Sequence, residues 1–323
     1  MKNPIYNYLK EKGEATPHEI AEQTGFSRQY VQRKLAELID AKQVIKLGKP
    51  PLVFYQFVES SVHVNEEQVS EADQHFLKQH FVEVTEDGRL LEGLEGFAHW
   101  CQKRKLPLVK TISEYRQTLE KYNQFVDKEG FINGTEKIKT TKGIDQLHLD
   151  ALFYLDFYAI ERFGKTLMGQ LLHFAKQGQN KKLSLRLIQI SAGKINRLIE
   201  ILNVEAVGFI PPTIRRDVQF MSMLEKNLQV NVPKVKLIKV KGEIVVPQKA
   251  LSKIEDRILN ARRSIVTSES RSYNSILLID DAVGSGATLN ETAGKLKIRG
   301  VAKAVFGVAI TGSFKGFEVI SEA

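Results

Sequence analysis

The sequence predicts an α/β protein in which a parallel sheet with flanking helices fills the C-terminal half, preceded by a small α+β unit. Three observations predict it. Short apolar runs alternate with helical patterns from about residue 144 onward, the signature of a parallel sheet. The first 60 residues read helix, helix, turn, helix, hairpin. The chain has 323 residues, which at ~100–200 residues per domain is room for two or three. The expected division is 1–60, 61–143 and 144–323.

In the first unit, Ile5, Tyr8 and Leu9 have helical spacing. Thr16-Pro17 supplies an N-cap and a proline for the first turn of a short helix over 18–23. Gly25-Phe26-Ser27 breaks it, and Ser27 can cap a third helix over 28–41. Val31, Leu35, Leu38 and Ile39 are its apolar stripe. Residues 44–47 read as a strand, Gly48-Lys49-Pro50-Pro51 as a turn and 53–57 as the returning strand. That order is a winged helix-turn-helix. Arg28, Gln29, Gln32 and Arg33 fall on the early, polar part of its second recognition-type helix. Arg and Gln can read G and A edges in a major groove. Lys46 and Lys49 flank the wing, where they would meet phosphates. DNA is therefore the expected partner, with a homodimer if the operator is symmetric. The competing reading is a protein-docking winged helix, because nine Lys or Arg stand against seven acids in residues 1–60.

The middle block carries helical patterns over 66–80, 93–104 and 111–125 and a hairpin signal at Asp87-Gly88. Trp100 and Cys101 have core periodicity. No motif in this block translates into chemistry. In the last block, helices are expected over 158–177, 183–202, 216–228 and 289–299. Strands are expected over 206–210, 235–240, 275–279 and 303–310.

Residues 276–288 read Ile-Leu-Leu-Ile-Asp-Asp-Ala-Val-Gly-Ser-Gly-Ala-Thr. Four apolar residues make a buried strand, Asp280 and Asp281 close it, and a small-residue loop leads into a helix. Ligands of open α/β sheets bind beyond the carboxyl ends of strands. A loop feeding a helix N-terminus offers free N–H groups and a positive dipole end to a phosphate. Gly284 and Gly286 allow close backbone approach, and Ser285 and Thr288 add hydroxyls. The two carboxylates suit ribose hydroxyls, or a water on Mg²⁺.

This pattern resembles the phosphoribosyl-pyrophosphate (PRPP) motif of type I phosphoribosyltransferases. The resemblance implies a phosphoribosyltransferase-like sheet, PRPP or a nucleotide as ligand and Mg²⁺ as companion ion. Asp280 and Asp281 would hold the ribose hydroxyls. Ala282, Val283, Gly284, Ser285, Gly286, Ala287 and Thr288 would cradle the 5′-phosphate. More of the chain resembles the ComF-like, competence-associated subgroup. Phe153-Tyr154 to Lys176-Gln177-Gly178 is similar to its opening Tyr…Lys-x-x-Gly stretch, and residues 207–212 to its strand with a proline-containing pyrophosphate loop. Pro247-Gln248, Leu251, Arg257 and Asn260 fall where that family has a mobile loop, which makes Arg257 and Asn260 flexible-loop candidates. The resemblance spans about 145–315. Two departures stand out. Such proteins often begin with a Cys-rich zinc module, which a chain with Cys101 alone cannot build. Gly284 stands where 6-oxopurine enzymes carry an acid, which argues against a hypoxanthine or guanine transferase.

The expected pyrophosphate loop comprises Pro211, Pro212, Thr213, Ile214, Arg215 and Arg216. Two prolines deplete its N–H groups, so Arg215 and Arg216 would carry the anion. The plainer reading is a basic first turn of the next helix. Residues 231–266 hold nine Lys or Arg against three acids. They read either as a flap over pyrophosphate, with Lys239 and Lys241 after a strand, or as solvated surface.

Composition narrows the classes. Hydrophobic content is 42 % and charged content 26 %, and net charge is +9, which favours an anionic partner or a solvated basic surface. No apolar run approaches the ~20 residues of a membrane helix. One cysteine excludes an internal disulfide, and seven scattered histidines offer no protein-ligated metal site, zinc included. A cytoplasmic protein is expected. The leading function is a PRPP- or nucleotide-binding regulator with a DNA-binding winged helix. The alternatives are an active phosphoribosyltransferase with a docking module, and a competence or nucleic-acid processing factor.

Overall fold

The computed structural model describes residues 4–41, 43–57, 69–141, 143–212, 214, 216–240 and 265–313, without the side chain of Lys49. The N-terminal unit comprises α1 (Pro4–Lys12), β1 (Glu14–Ala15), α2 (Pro17–Thr24), α3 (Arg28–Asp40), β2 (Val44–Lys49) and β3 (Leu52–Phe57). Local chemistry sets its boundaries. Thr16 and Glu19 form a reciprocal capping box, with the Thr16 amide donating to the Glu19 carboxylate at 2.7 Å. Gly25, at φ 72°, closes α2 in the left-handed region, and Ser27 accepts from the Tyr30 amide to start α3. Such caps satisfy helix-end donors that have no intrahelical partner. Val31, Leu35 and Leu38 of α3 bury against Ile5, Leu9 and Ile20 in a core of their own. The three strands pair antiparallel in the order β1-β3-β2; β1 is an addition to the sequence expectation, too short to show periodicity.

The following segment forms α4 (Glu71–His80), β4 (Val82–Val84), β5 (Leu90–Glu92), α5 (Gly93–Lys103), α6 (Leu108–Asn123), β6 (Ile132–Asn133) and α7 (Thr135–Thr140). Trp100 and Cys101 are core, as their spacing predicts.

The C-terminal half carries β7 (Ala151–Phe157), β8 (Ala159–Ile160), a single 3-10 turn (Glu161–Phe163), β9 (Gly164–Lys165), α8 (Leu167–Gln177), α9 (Lys181–Ile201) and β10 (Ala206–Phe209). There follow α10 (Phe220–Asn227), β11 (Lys234–Val235), β12 (Leu237–Lys239), β13 (Ile265–Thr267), β14 (Tyr273–Val283), α11 (Ala287–Ile298) and β15 (Ala302–Gly312). The principal sheet runs β11-β10-β14-β15-β7-β6, parallel except for β6 at one edge. Ile276, Leu277, Leu278 and Ile279 of β14 are fully buried, as a strand covered on both faces requires. One face packs on α11 and on residues of the middle segment, among them Phe97, Trp100, Ile112 and Ile138. The other packs on α8, α9 and α10 through Leu171, Leu187, Ile195 and Leu224.

Three expectations need correction. The helix expected over 158–177 begins only at Leu167. Before it, Ala151–Phe157 is a strand inside the sheet. Its burial on both faces erases the alternation that marks half-buried strands, and Gly164, at φ 74°, and the Thr166 cap delay the helix. The strand expected over 235–240 is two. Lys234–Val235 extends the main sheet, while Leu237–Lys239 pairs antiparallel with β13 in a separate ribbon. The helix expected from residue 216 begins at Phe220. Among the described residues, no helix is long and apolar enough to cross a membrane.

Candidate functional site

The site lies at the C-terminal end of β14. The strand continues through both acids to Val283, and α11 starts at Ala287. The loop proper is therefore Gly284, Ser285 and Gly286, with Ala282 and Val283 in the ladder opposite Thr311 and Gly312. Gly286 caps α11 at φ 79° with no side-chain cap. A Cβ on Gly286 would stand 2.8 Å from Ile138 Cγ1, so α7 closes one wall of the loop. The Asn290 amide returns to the Gly286 carbonyl at 2.9 Å, and the Ala287 amide reaches Ser285 Oγ at 3.4 Å. Among the described residues, the amides of Ser285, Gly286 and Thr288 make no hydrogen bond. Unbonded amides at a helix start are an anion cradle.

The two acids, adjacent in sequence, have different surroundings. Asp281 accepts from Lys176 Nζ at 2.8 Å, both side chains being largely enclosed. Lys176 comes from the last turn of α8. Asp280 accepts the Asp281 amide at 2.8 Å. Burial, then the charge of Asp281, push its carboxyl up to about 7, against the opposing pull of the Asp281 amide, Lys176 and Lys239. Lys239, at the end of β12, is half-buried, and burial lowers its ammonium pKa while the attraction of Asp280 raises it. Two lysines from separate elements thus attend the acid pair.

Ile210 donates to the Ile279 carbonyl at 2.9 Å, which carries Pro211 and Pro212 past the strand end next to Asp280. Arg216 Nη2 donates to Gln177 Oε1 at 3.3 Å, and Val218 donates to Gln179 Oε1 at 3.2 Å. The segment after β10 is thereby tied to the end of α8, one residue from Lys176. Thr213 and Arg215 lie outside the described residues, as do Arg257, Asn260 and Lys241.

The sequence reading assigned no role to Lys176, although it had singled out the Lys-Gln-Gly stretch. It also missed α7. Lys137 of that helix has its Nζ fully buried and without a hydrogen-bond partner among the described residues, and burial lowers its pKa to about 8.

On the N-terminal unit, Arg28, Gln29, Gln32 and Arg33 are all exposed, opposite the buried stripe of α3. Arg28 Nη2 lies 3.5 Å from His18 Nδ1, and the Arg33 guanidinium sits 5.3 Å from the Tyr30 ring centre. Lys46 is exposed on β2. The helix therefore presents two arginines and two glutamines as one exposed polar face.

Whether Mg²⁺ fits can be judged from the donor set. This ion takes oxygen ligands, keeps several waters and is usually held by one or two carboxylates together with ligand phosphates. Asp280 and Asp281 beside a loop with unbonded amides would meet that description. No group of three or more His, Cys, Asp or Glu side chains that could hold a metal alone occurs among the described residues.

No protein-family model matches the chain, and no curated protein matches its sequence. What the site can do rests on its own geometry.

Proposed function

We propose that this chain binds PRPP or a nucleotide, with Mg²⁺, on a phosphoribosyltransferase-like domain and binds DNA through an N-terminal winged helix, acting as a regulator. The observation that carries the reading is a buried parallel strand that ends in two acids and turns within three residues onto a helix start with unbonded amides. Asp280 and Asp281 would hold the ribose hydroxyls and the hydrated ion. The Ser285, Gly286 and Thr288 amides would hold the 5′-phosphate. Mg²⁺ would supply charge neutralisation for the pyrophosphate.

The N-terminal part of the reading is supported by element order and by exposure. Three helices, a three-stranded antiparallel sheet and an exposed polar face on α3 are what a major-groove reader needs. A regulatory link requires the ligand to have different affinities for DNA-competent and incompetent states. The test is DNA affinity by filter binding at two salt concentrations, with and without PRPP and Mg²⁺. The reading expects ligand to shift the affinity and Arg28→Ala and Arg33→Ala each to weaken it. DNA binding unaffected by ligand and by both substitutions contradicts the regulatory reading. Pyrophosphate release with a panel of nucleobases, if seen, would make the protein a working transferase instead.

A further inference from the structure

Lys176 pairs with Asp281, one of the two adjacent carboxylates at the end of β14. Its Nζ is 2.8 Å from Asp281 Oδ1, and the side chains are 23 % and 16 % exposed. Adjacent carboxylates at one strand end are what a divalent ion seeks. A bare ion arriving there would expel the ammonium from a half-buried pair. It would leave that ammonium unpaired beside a new double charge, a costly arrangement in a partly desolvated site. An ion arriving with a phosphorylated ligand brings oxygens the ammonium can turn to, so no charge is stranded. Next to Lys176, Gln177 accepts a hydrogen bond from Arg216 of the segment after β10, a second cation within reach of an anionic ligand there.

We infer that Lys176 is a specificity-determining residue, which keeps free divalent ions off the acid pair and admits them only with a phosphate-bearing ligand. The inference rests on the reading of this strand end as a metal–phosphate site. Lys176 is also a positioning residue for Asp281, because an ammonium fixed on one carboxylate oxygen holds the side chain in one rotamer. The consequence is linkage. Ion and ligand should each tighten the other's binding by the same factor, roughly 5- to 150-fold, and the part of that coupling that comes from displacing the ammonium should vanish with it, leaving the direct ion–phosphate part.

The experiment is Mn²⁺ binding to the full chain by electron paramagnetic resonance, with and without PRPP and, separately, with and without inorganic pyrophosphate. Wild type, Lys176→Gln and Lys176→Arg are compared, each checked for folding by circular dichroism. The expected result is that Lys176→Gln binds Mn²⁺ alone about tenfold more tightly than wild type and so shows about tenfold less coupling, while Lys176→Arg keeps the wild-type values. Equal Mn²⁺ affinity of wild type and Lys176→Gln without ligand overturns the inference. Failure of wild type to bind PRPP by calorimetry would remove the functional reading. The Lys176 claim is still decided in that case, by the Mn²⁺ affinities measured alone and with pyrophosphate.

Discussion

Ile138 of α7 occupies the space that any side chain on Gly286 would need, its Cγ1 being 2.8 Å from the position of a Cβ there. The loop of Gly284, Ser285 and Gly286 is thus closed by a helix from the middle segment, 148 positions earlier in the chain.

Gly286→Ala should be severe for two separate reasons. The backbone is at φ 79°, and the methyl would collide with Ile138. A positive φ on a non-glycine residue costs on the order of 1–3 kcal/mol, and the collision adds overpacking of about 1–3 kcal/mol. Urea denaturation should show a loss of that combined size, and phosphate-ligand binding should fail. Pairing it with Ile138→Ala should recover the steric part only. A variant as stable as wild type would mean that α7 does not lie against the loop.

Lys137→Met should stabilise the protein. Among the described residues the native ammonium is buried without a hydrogen-bond partner, so at pH 7 its removal should gain roughly 1–3 kcal/mol. The sign with pH follows from its depressed pKa, about 8 against 10.5 in the open chain. Between these values the unfolded chain holds a proton that the native state has shed, so stability from this group rises with pH across that window. Wild type minus Lys137→Met should therefore shrink from pH 8 to pH 10.5 in matched thermal melts. A constant difference would place Lys137 in solvent.

Arg28→Ala and Arg33→Ala remove exposed guanidinium groups from α3 and leave its buried stripe intact. Unfolding free energy should hold within about 0.5 kcal/mol of wild type. DNA affinity should fall by roughly 1–3 kcal/mol for each arginine that reads a base. An arginine that meets only phosphate should instead lower the salt slope by about one. Unchanged affinity in both variants would leave α3 as a protein-docking surface.

The loop was legible because everything that makes it is local. Apolar strand, acids, glycines and helix start are consecutive, and each leaves its mark within a few positions. The N-terminal unit was legible for the same reason, through Thr16, Gly25 and Ser27. Ala151–Phe157 was not, because a strand buried on both faces has no alternation and residues 158–163 carry ordinary helix formers until Gly164 interrupts them. Lys176 and Asp281 are 105 residues apart, and nothing in either neighbourhood announces the pairing. The one available signal was the Lys-Gln-Gly stretch, which resemblance had marked without giving it a role. Lys137 sits in a six-residue helix whose importance comes only from where the chain brings it.

The central claim is that the end of β14 and its loop bind a phosphoribosyl ligand. Isothermal titration of the full chain with PRPP in the presence of Mg²⁺ tests it most directly, alongside Asp280→Asn and Asp281→Asn. The account predicts one saturable, Mg²⁺-dependent site in wild type and affinity reduced at least tenfold in both variants, which corresponds to about 1.4 kcal/mol or more. No binding in wild type, or binding that both variants retain in full, would contradict it.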